Sequence, residues 1–174
     1  MVIFLGSWAM MFGAMFFVYS ALRIRSPVWP PFGEDPLPVA LPGLNTLVLL
    51  ASSVSIHLAL RALRRHRLDT FRSWMLITLA LGTSFIALQL WVWIDLWQTG
   101  LRIDSGMYGS IFYTLTAFHA LHVVVGLGLL VWLAAPALRR QARMPGRVPV
   151  RVASMFWHFV DAVWIVMFLA VYVF

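Results

Sequence analysis

The sequence predicts an all-α, polytopic membrane protein whose helices form a transmembrane bundle of five spans. The chain has 174 residues, of which 62% are hydrophobic, and its mean hydropathy is +0.88. Only 11% of the residues are charged, which is too few to cover a water-soluble globule. The hydrophobic residues also fall into blocks long enough to cross about 30 Å of hydrocarbon at about 1.5 Å per residue.

The five hydrophobic blocks are expected to form a single membrane domain, 1–174. They cover residues 2–22, 43–63, 73–97, 108–133 and 152–174. The first block has no basic segment before it and no small-residue cleavage site before Arg23, so we interpret it as a mature helix rather than a signal peptide. The connectors between the blocks are short, and no independent soluble domain is expected.

Arginine sets the predicted orientation of the chain in the membrane. All 13 basic residues are arginine, and ten of them lie in the connectors 61–72 and 139–151. Because Lys and Arg accumulate in cytoplasmic loops, both connectors are expected inside, with the N-terminus cytoplasmic and the C-terminus outside. This charge is confined to turns at the membrane edge, so no nucleic-acid partner is expected.

The outer side of the bundle has its own sequence signals. The predicted outer loop, 25–42, holds six of the nine prolines, so it is expected to be extended rather than helical. Trp91, Trp93 and Trp97 end the third span, at the level where indoles contact both lipid and water. Gly126 and Gly128 in the fourth span are expected to let helix backbones approach closely.

Two spans carry the polar side chains that function would need. His119 and His122 share one face of the fourth span, and His158 and Asp161 share one face of the fifth. An unpaired carboxylate near the bilayer centre costs about 2.5–3.5 kcal/mol on insertion scales, so Asp161 needs a partner. We expect these four residues to form a structural polar cluster that joins the two helices; a proton relay through Asp161 is the alternative.

Other kinds of site are less well supported. Membrane haems use histidine ligands, but bulky neighbours follow His119 and His122 on their face, so no metal or haem ligands are expected in this chain. His57 is interpreted as a packing histidine. The sequence contains no cysteine, acid pair or Gly-rich phosphate loop, and no catalytic residues are assigned. A small transporter would need a polar path, for which Ser52, Ser53 and Ser55 on the second span are too few.

Two motifs in the last two spans carry a family resemblance. They read Phe118-His119-Ala120-Leu121-His122-Val123 and Trp157-His158-Phe159-Val160-Asp161, followed by Gly126 and Trp164 respectively. They look like the FHxxHV and WHFVDxxW signatures of subunit III of the haem-copper oxidases, of the cytochrome c oxidase type. Weaker matches are Trp29-Pro30-Pro31, Asn45-Thr46, Gln89, Trp93 and Tyr108-Gly109-Ser110.

The resemblance implies a subunit of a proton-pumping oxidase that holds neither haem nor copper itself. Such a subunit packs on the haem-copper catalytic subunit I, alongside subunit II and further small subunits or a respiratory supercomplex. It binds phospholipid and supports turnover and proton uptake in the bacterial inner membrane. The residues implied as contacts with lipid or other subunits are His57, Gln89, Trp93, Trp157 and Trp164.

The chain departs from the family pattern at three positions. Trp8, Val92 and Arg151 stand where the family has glutamates, so the proton-uptake roles linked to those acids are not carried over. The usual seven-helix form has two further N-terminal helices, and the five spans match its last five. Alternatives that remain are an accessory subunit of a quinol oxidase or nitric oxide reductase, and a haem-b membrane anchor.

Overall fold

The computed structural model describes residues 2–29, 37–138 and 145–173. Within these ranges the chain forms five α-helices and no strand. The helices are α1 (Val2–Arg25), α2 (Ala40–Arg64), α3 (Leu68–Thr99), α4 (Met107–Leu138) and α5 (Arg147–Phe168), and a π-helical turn, Leu169–Val173, continues α5. All five are long and apolar enough to cross a membrane, which confirms the predicted fold class.

The helices extend beyond the hydrophobic blocks of the sequence. The third begins at Leu68 rather than at 73, and the fourth ends at Leu138 rather than at 133. At the start of α3 the helix runs through the polar residues Asp69, Thr70 and Arg72, which hydropathy excludes, because each added residue gains a backbone hydrogen bond. Gly100 then ends α3 in the left-handed region, at a φ of 108°, where the missing Cβ removes the steric cost.

Helices α2 to α5 form a closed ring in which each packs against the next, and α5 packs back on α2. Polar contacts add to these seams: Ser55 Oγ lies 2.7 Å from Thr78 Oγ1 between α2 and α3. Helix α1 lies outside the ring, and only Phe12 and Tyr19 are fully buried among its described side chains. Four helices therefore build the core, and the fifth lies on its surface.

The Trp157 indole fills the centre of the ring. A Cβ on Gly126 would lie 3.0 Å from Trp157 Cε3, and one on Gly82 would lie 2.8 Å from Trp157 Cη2. A Cβ on Gly128 would meet no atom within 4 Å. The sequence predicted a close approach at both Gly126 and Gly128, but only Gly126 faces a neighbouring helix. Gly128 is exposed because it lies two residues further round α4.

The described parts of the arginine-rich connectors lie together on one side of the bundle. Arg147 Nη2 lies 2.7 Å from His66 Nε2 and donates to the Arg64 carbonyl at 3.5 Å. Arg72 Nε donates to the Ala137 carbonyl near the end of α4. At the opposite end, Arg23 donates to the Ala170 carbonyl at 3.3 Å. The described arginines of both connectors thus share one side, whereas 139–144 lie outside the described residues.

The packing predicts that Gly126→Ala destabilises the chain by about 1–3 kcal/mol, because the new methyl group must displace the Trp157 indole. Thermal unfolding of the purified chain in mild detergent measures this. Gly128→Ala is the matched control, since it gains the same helix propensity in open space. Equal unfolding temperatures for the two variants would contradict the packing argument.

The cysteine-free sequence allows a direct test of the expected orientation. Arg65→Cys and Asp104→Cys place single thiols at exposed positions at opposite ends of the bundle. In intact cells, a membrane-impermeant maleimide is expected to label the Asp104→Cys variant but not the Arg65→Cys variant, because arginine-rich connectors stay inside. Both should react once the membrane is opened. Labelling of Arg65→Cys alone in intact cells would reverse the orientation.

Candidate functional site

The buried polar contacts of α5 run along helix α2. Trp164 Nε1 donates to Thr46 Oγ1 at 2.9 Å, and Trp157 Nε1 donates to Ser52 Oγ at 3.0 Å. Ser53 continues the row and contacts both His158 and Asp161. We call Thr46, Ser52 and Ser53, with the α5 side chains that they bind, the hydroxyl seam.

Asp161 has its partner in this seam. Ser53 Oγ donates to Asp161 Oδ2 in a short hydrogen bond, and the same hydroxyl oxygen lies 3.0 Å from His158 Nδ1. The Asp161 side chain is only 4% exposed, and its Oδ1 has no hydrogen-bond partner among the described residues. One serine hydroxyl therefore connects a buried carboxyl group to a histidine on the next turn.

The chain directions explain how the seam forms. The two indoles bind hydroxyls that lie six residues apart on α2, Trp164 at Thr46 and Trp157 at Ser52. The later indole on α5 takes the earlier hydroxyl on α2, so the two helices run antiparallel along the seam. Six residues of one helix and seven of the other cover about 9 Å and about 10.5 Å, so both bonds form at once. Each hydrogen bond between membrane helices contributes about 0.6 kcal/mol, so the seam stabilises through the sum of several bonds.

His119 lies in an aromatic enclosure at the centre of the bundle. Its ring centroid is 5.2 Å from that of Trp164, 5.9 Å from Phe85 and 6.5 Å from Phe12. The side chain is 1% exposed, and neither ring nitrogen has a hydrogen-bond partner among the described residues. His119 thus brings α1, α3 and α5 together on α4 through ring packing.

His122 lies between α4 and α1. Its Nδ1 is 2.6 Å from the Phe118 carbonyl oxygen of its own helix. The Trp8 ring lies edge-on to it, with centroids 4.0 Å apart and planes at 82°, and Phe12 packs beside it at 5.2 Å. This histidine anchors the peripheral helix α1 to the ring.

The structure divides the expected cluster of His119, His122, His158 and Asp161 between two places. His158 and Asp161 face α2, whereas His119 and His122 face aromatic rings on other helices. The reason lies in α5, where Trp157 and Trp164 occupy the face towards α3 and α4. The polar pair is left on the flank that faces α2. The helices joined through Asp161 are therefore α2 and α5, not α4 and α5.

The residues expected to contact lipid or other subunits also differ in their surroundings. Trp157, Trp164 and Gln89 are at most 1% exposed, so they are covered by this chain and cannot reach lipid or another subunit. Gln89 lies beside the Tyr172 hydroxyl. Trp93 is partly buried and donates to Thr116 Oγ1 at 3.2 Å. His57 is exposed. Of these five residues, only Trp93 and His57 retain surface for such contacts.

Thr46, Ser52 and Ser53 were not predicted from the sequence as the partners of α5. The available signal was the presence of several hydroxyl side chains at membrane depth on the second span. It was overlooked because Ser and Thr hydroxyls in helices commonly bond their own backbone. Thr46 and Ser52 do so here, donating to the carbonyls of Pro42 and Leu49. Their oxygens then remain free to accept from the indoles.

Comparison with known proteins identifies the family. A sequence profile described as cytochrome c oxidase subunit III matches residues 1–174. The chain belongs to the cytochrome c oxidase subunit III family. It is 36% identical over 177 residues to cytochrome c oxidase subunit 3 of Synechocystis sp., covering 98% of this chain and 72% of the relative.

Other relatives of the family carry the same description. The chain is 32% identical over 182 residues to cytochrome c oxidase subunit 3 of Thermostichus vulcanus, covering 99% of this chain and 85% of that one. It is 37% identical over 145 residues to the Mus musculus protein, covering 83% of this chain and 54% of the relative. Membership of the subunit III family implies a membrane protein that is part of an oxidase complex.

The three residues that depart from the subunit III pattern lie in different surroundings in the structure. Trp8 packs against His122, Val92 is buried at 1% exposure, and Arg151 is exposed in the first turns of α5. A partly buried aromatic side chain and a buried aliphatic one thus occupy two of the three positions at which the resemblance leads us to expect acids. Within the described ranges no group of three or more His, Asp or Glu side chains is placed to hold a metal ion.

The hydroxyl seam predicts that Ser53→Ala lowers stability by about 1–3 kcal/mol, since it removes the partner of a buried carboxyl group. Thermal unfolding followed by tryptophan fluorescence measures the loss. Ser84→Ala serves as the matched control, because Ser84 is exposed and bonds only the Ala80 carbonyl of its own helix. If both variants unfold at the same temperature, Ser53 does not stabilise the α2–α5 contact.

Proposed function

We propose that this chain is a non-catalytic subunit of a proton-pumping cytochrome c oxidase. It packs on the haem-copper catalytic subunit I, next to subunit II and any further small subunits or respiratory supercomplex partners. It holds phospholipid and supports stable turnover and proton uptake during aerobic respiration. The enzyme activity belongs to the complex, whose haem and copper reside in the catalytic subunit.

One observation carries this proposal: the family match extends over residues 1–174, and the relatives described above are all named cytochrome c oxidase subunit 3. These names favour the cytochrome c branch over an accessory subunit of a quinol oxidase or nitric oxide reductase. The two relatives that share most of their length with this chain are cyanobacterial. We accordingly place the complex in the bacterial inner membrane, with the arginine-rich connectors in the cytoplasm.

The use of the buried polar groups supports a scaffold role. Ser52, Ser53 and Thr46 bind side chains of α5, and Ser55 binds Thr78 of α3. These groups connect one helix to another inside the bundle. A rigid bundle of this kind offers a partner subunit a surface of fixed shape.

Apolar grooves support the proposal that the chain holds lipid. A groove of about 370 Å³ lies between α1, α4 and α5. Its lining residues are Phe4, Trp8, Leu121, His122, Val125, Leu129, Val152 and Phe156. A second, of about 410 Å³, lies between α1 and the first turns of α4. Both have an apolar lining that suits acyl chains, and both exist because α1 lies outside the ring.

The surroundings of His119 do not fit a haem-b anchor. A transmembrane haem needs histidines on different helices facing a shared cavity. Here the rings of Phe12, Phe85 and Trp164 lie 5.2–6.5 Å from the His119 ring and occupy the space that a porphyrin needs. The scaffold role is therefore the better supported of the two.

Purification of the tagged chain from its native membrane in mild detergent tests the proposal. We expect the haem-copper catalytic subunit and subunit II to co-purify, together with copper and the haem spectrum of the oxidase. Complexes stripped of this chain should lose activity faster during turnover, because the catalytic subunit loses its packing partner and bound lipid. Mass spectrometry and oxygen consumption give the readouts.

Expression of the chain alone provides the control. A Soret band in stoichiometric amount with the isolated chain would indicate a haem protein and contradict the scaffold role. Absence of oxidase subunits from the native preparation would contradict membership of the complex.

A further inference from the structure

The outer side of the hydroxyl seam presents two histidines on the surface of the bundle. His158 on α5 is exposed, and its Nδ1 lies 3.0 Å from Ser53 Oγ. His57, one helical turn after Ser53 on α2, is also exposed. It lies close enough to His158 to interact with it electrostatically. We call this pair the His57–His158 patch.

The patch lies at the depth of the hydrocarbon. His57 precedes Arg61 by four residues, about 6 Å along a helix, and His158 follows Arg151 by seven, about 10 Å. The hydrocarbon midplane is about 15 Å from either edge. With the arginines at the membrane surface, both imidazoles therefore face the apolar interior of the bilayer.

The hydrogen-bonding capacity of the patch is not used up within the chain. Ser53 has one hydroxyl hydrogen, which goes either to Asp161 or to His158. In the first case the Ser53 hydroxyl donates to Asp161, and the N–H at His158 Nδ1 donates to the Ser53 oxygen. His158 Nε2 then carries no hydrogen and is an acceptor that points outward. In the second case Asp161 is protonated and donates to the Ser53 oxygen, and the Ser53 hydroxyl donates to His158 Nδ1. His158 Nε2 then carries the hydrogen and is a donor that points outward. In both cases His158 Nε2 requires an external partner.

His57 adds a second unmet requirement. Among the described residues no hydrogen bond to its ring is formed, although its imidazole always carries at least one N–H. Lipid tails cannot accept from it, and an unsatisfied polar group in hydrocarbon is costly. A side chain that covers the patch must therefore accept from His57 and either accept from or donate to His158. A carboxyl group, with two oxygens, has the chemistry to do both.

We propose that the His57–His158 patch docks a membrane-spanning helix of another subunit of the same oxidase complex, which presents a carboxyl side chain to the two imidazoles. A carboxyl group suits both imidazoles, since it accepts from a ring N–H and, when protonated, donates to a bare ring nitrogen. The inference rests on the proposed function, because it requires a complex in which this chain is a subunit.

Photo-crosslinking in the assembled complex tests the contact. p-Benzoylphenylalanine replaces His57 in one variant and Thr83 in a second, control variant. Thr83 is exposed on α3 and bonds only carbonyls of its own helix. After irradiation, we expect the position-57 probe to crosslink to another oxidase subunit, within one helical turn of an Asp or Glu. Crosslinks to lipid alone, to a second copy of this chain, or to a helix without a carboxyl residue would overturn the proposal, as would no crosslink.

Substitutions measure the polar contribution. His57→Leu is expected to lower retention of the chain in the complex during a detergent wash by about 3- to 30-fold, the range expected for hydrogen bonds between membrane helices. His57→Gln keeps a donor and an acceptor and should restore most of the retention. Thr83→Val, which also replaces an exposed polar side chain, should leave it unchanged. Equal retention of all three variants would overturn the proposal.

The two proposals fail in different ways. If the wild-type chain brings down no oxidase subunit, the proposed function fails. If it does, but position 57 contacts only lipid, the complex stands and the docking site fails. Unfolding of the isolated His57→Leu variant at the wild-type temperature shows that any loss of retention comes from the interface.

Discussion

The bundle depends on giving one buried carboxyl group a partner inside the membrane. Asp161 is 4% exposed in α5, and Ser53 on α2 donates to it. Because water is absent at this depth, a polar group there must be satisfied by the protein. This requirement fixes α5 against α2 in rotation and in height. Once that register is set, the Trp164 and Trp157 indoles reach Thr46 and Ser52.

The same register directs the indole rings of α5 into the core. The Trp157 indole fills the space left by Gly82 and Gly126 on α3 and α4. Trp164 packs on Phe85 at a centroid distance of 4.8 Å and at right angles to it, an edge-to-face arrangement that adds to burial. The hydrogen bonds of α5 and its aromatic packing thus have different roles. The bonds set the position of the helix, and the packing fills the ring.

Helix α1 is held differently, which leaves room for other molecules. Its contacts with α4 are mainly aromatic, from Trp8 and Phe12 to Phe118 and His122. Arg23 adds one bond to the Ala170 carbonyl. The grooves beside α1 suit acyl chains, whereas the outer side of the hydroxyl seam suits a polar protein surface. The proposed role as a scaffold subunit would use both kinds of surface.

The sequence by itself determined the number of helices, their approximate limits and the family, because apolar length and two polar motifs are local properties of the chain. It also singled out Asp161 as a residue in need of a partner. Only the tertiary structure decided that the partner is Ser53 and that His119 packs among aromatic rings. Helical spacing gives the face of each residue on its own helix, but the rotation of one helix against another depends on all the contacts made at once.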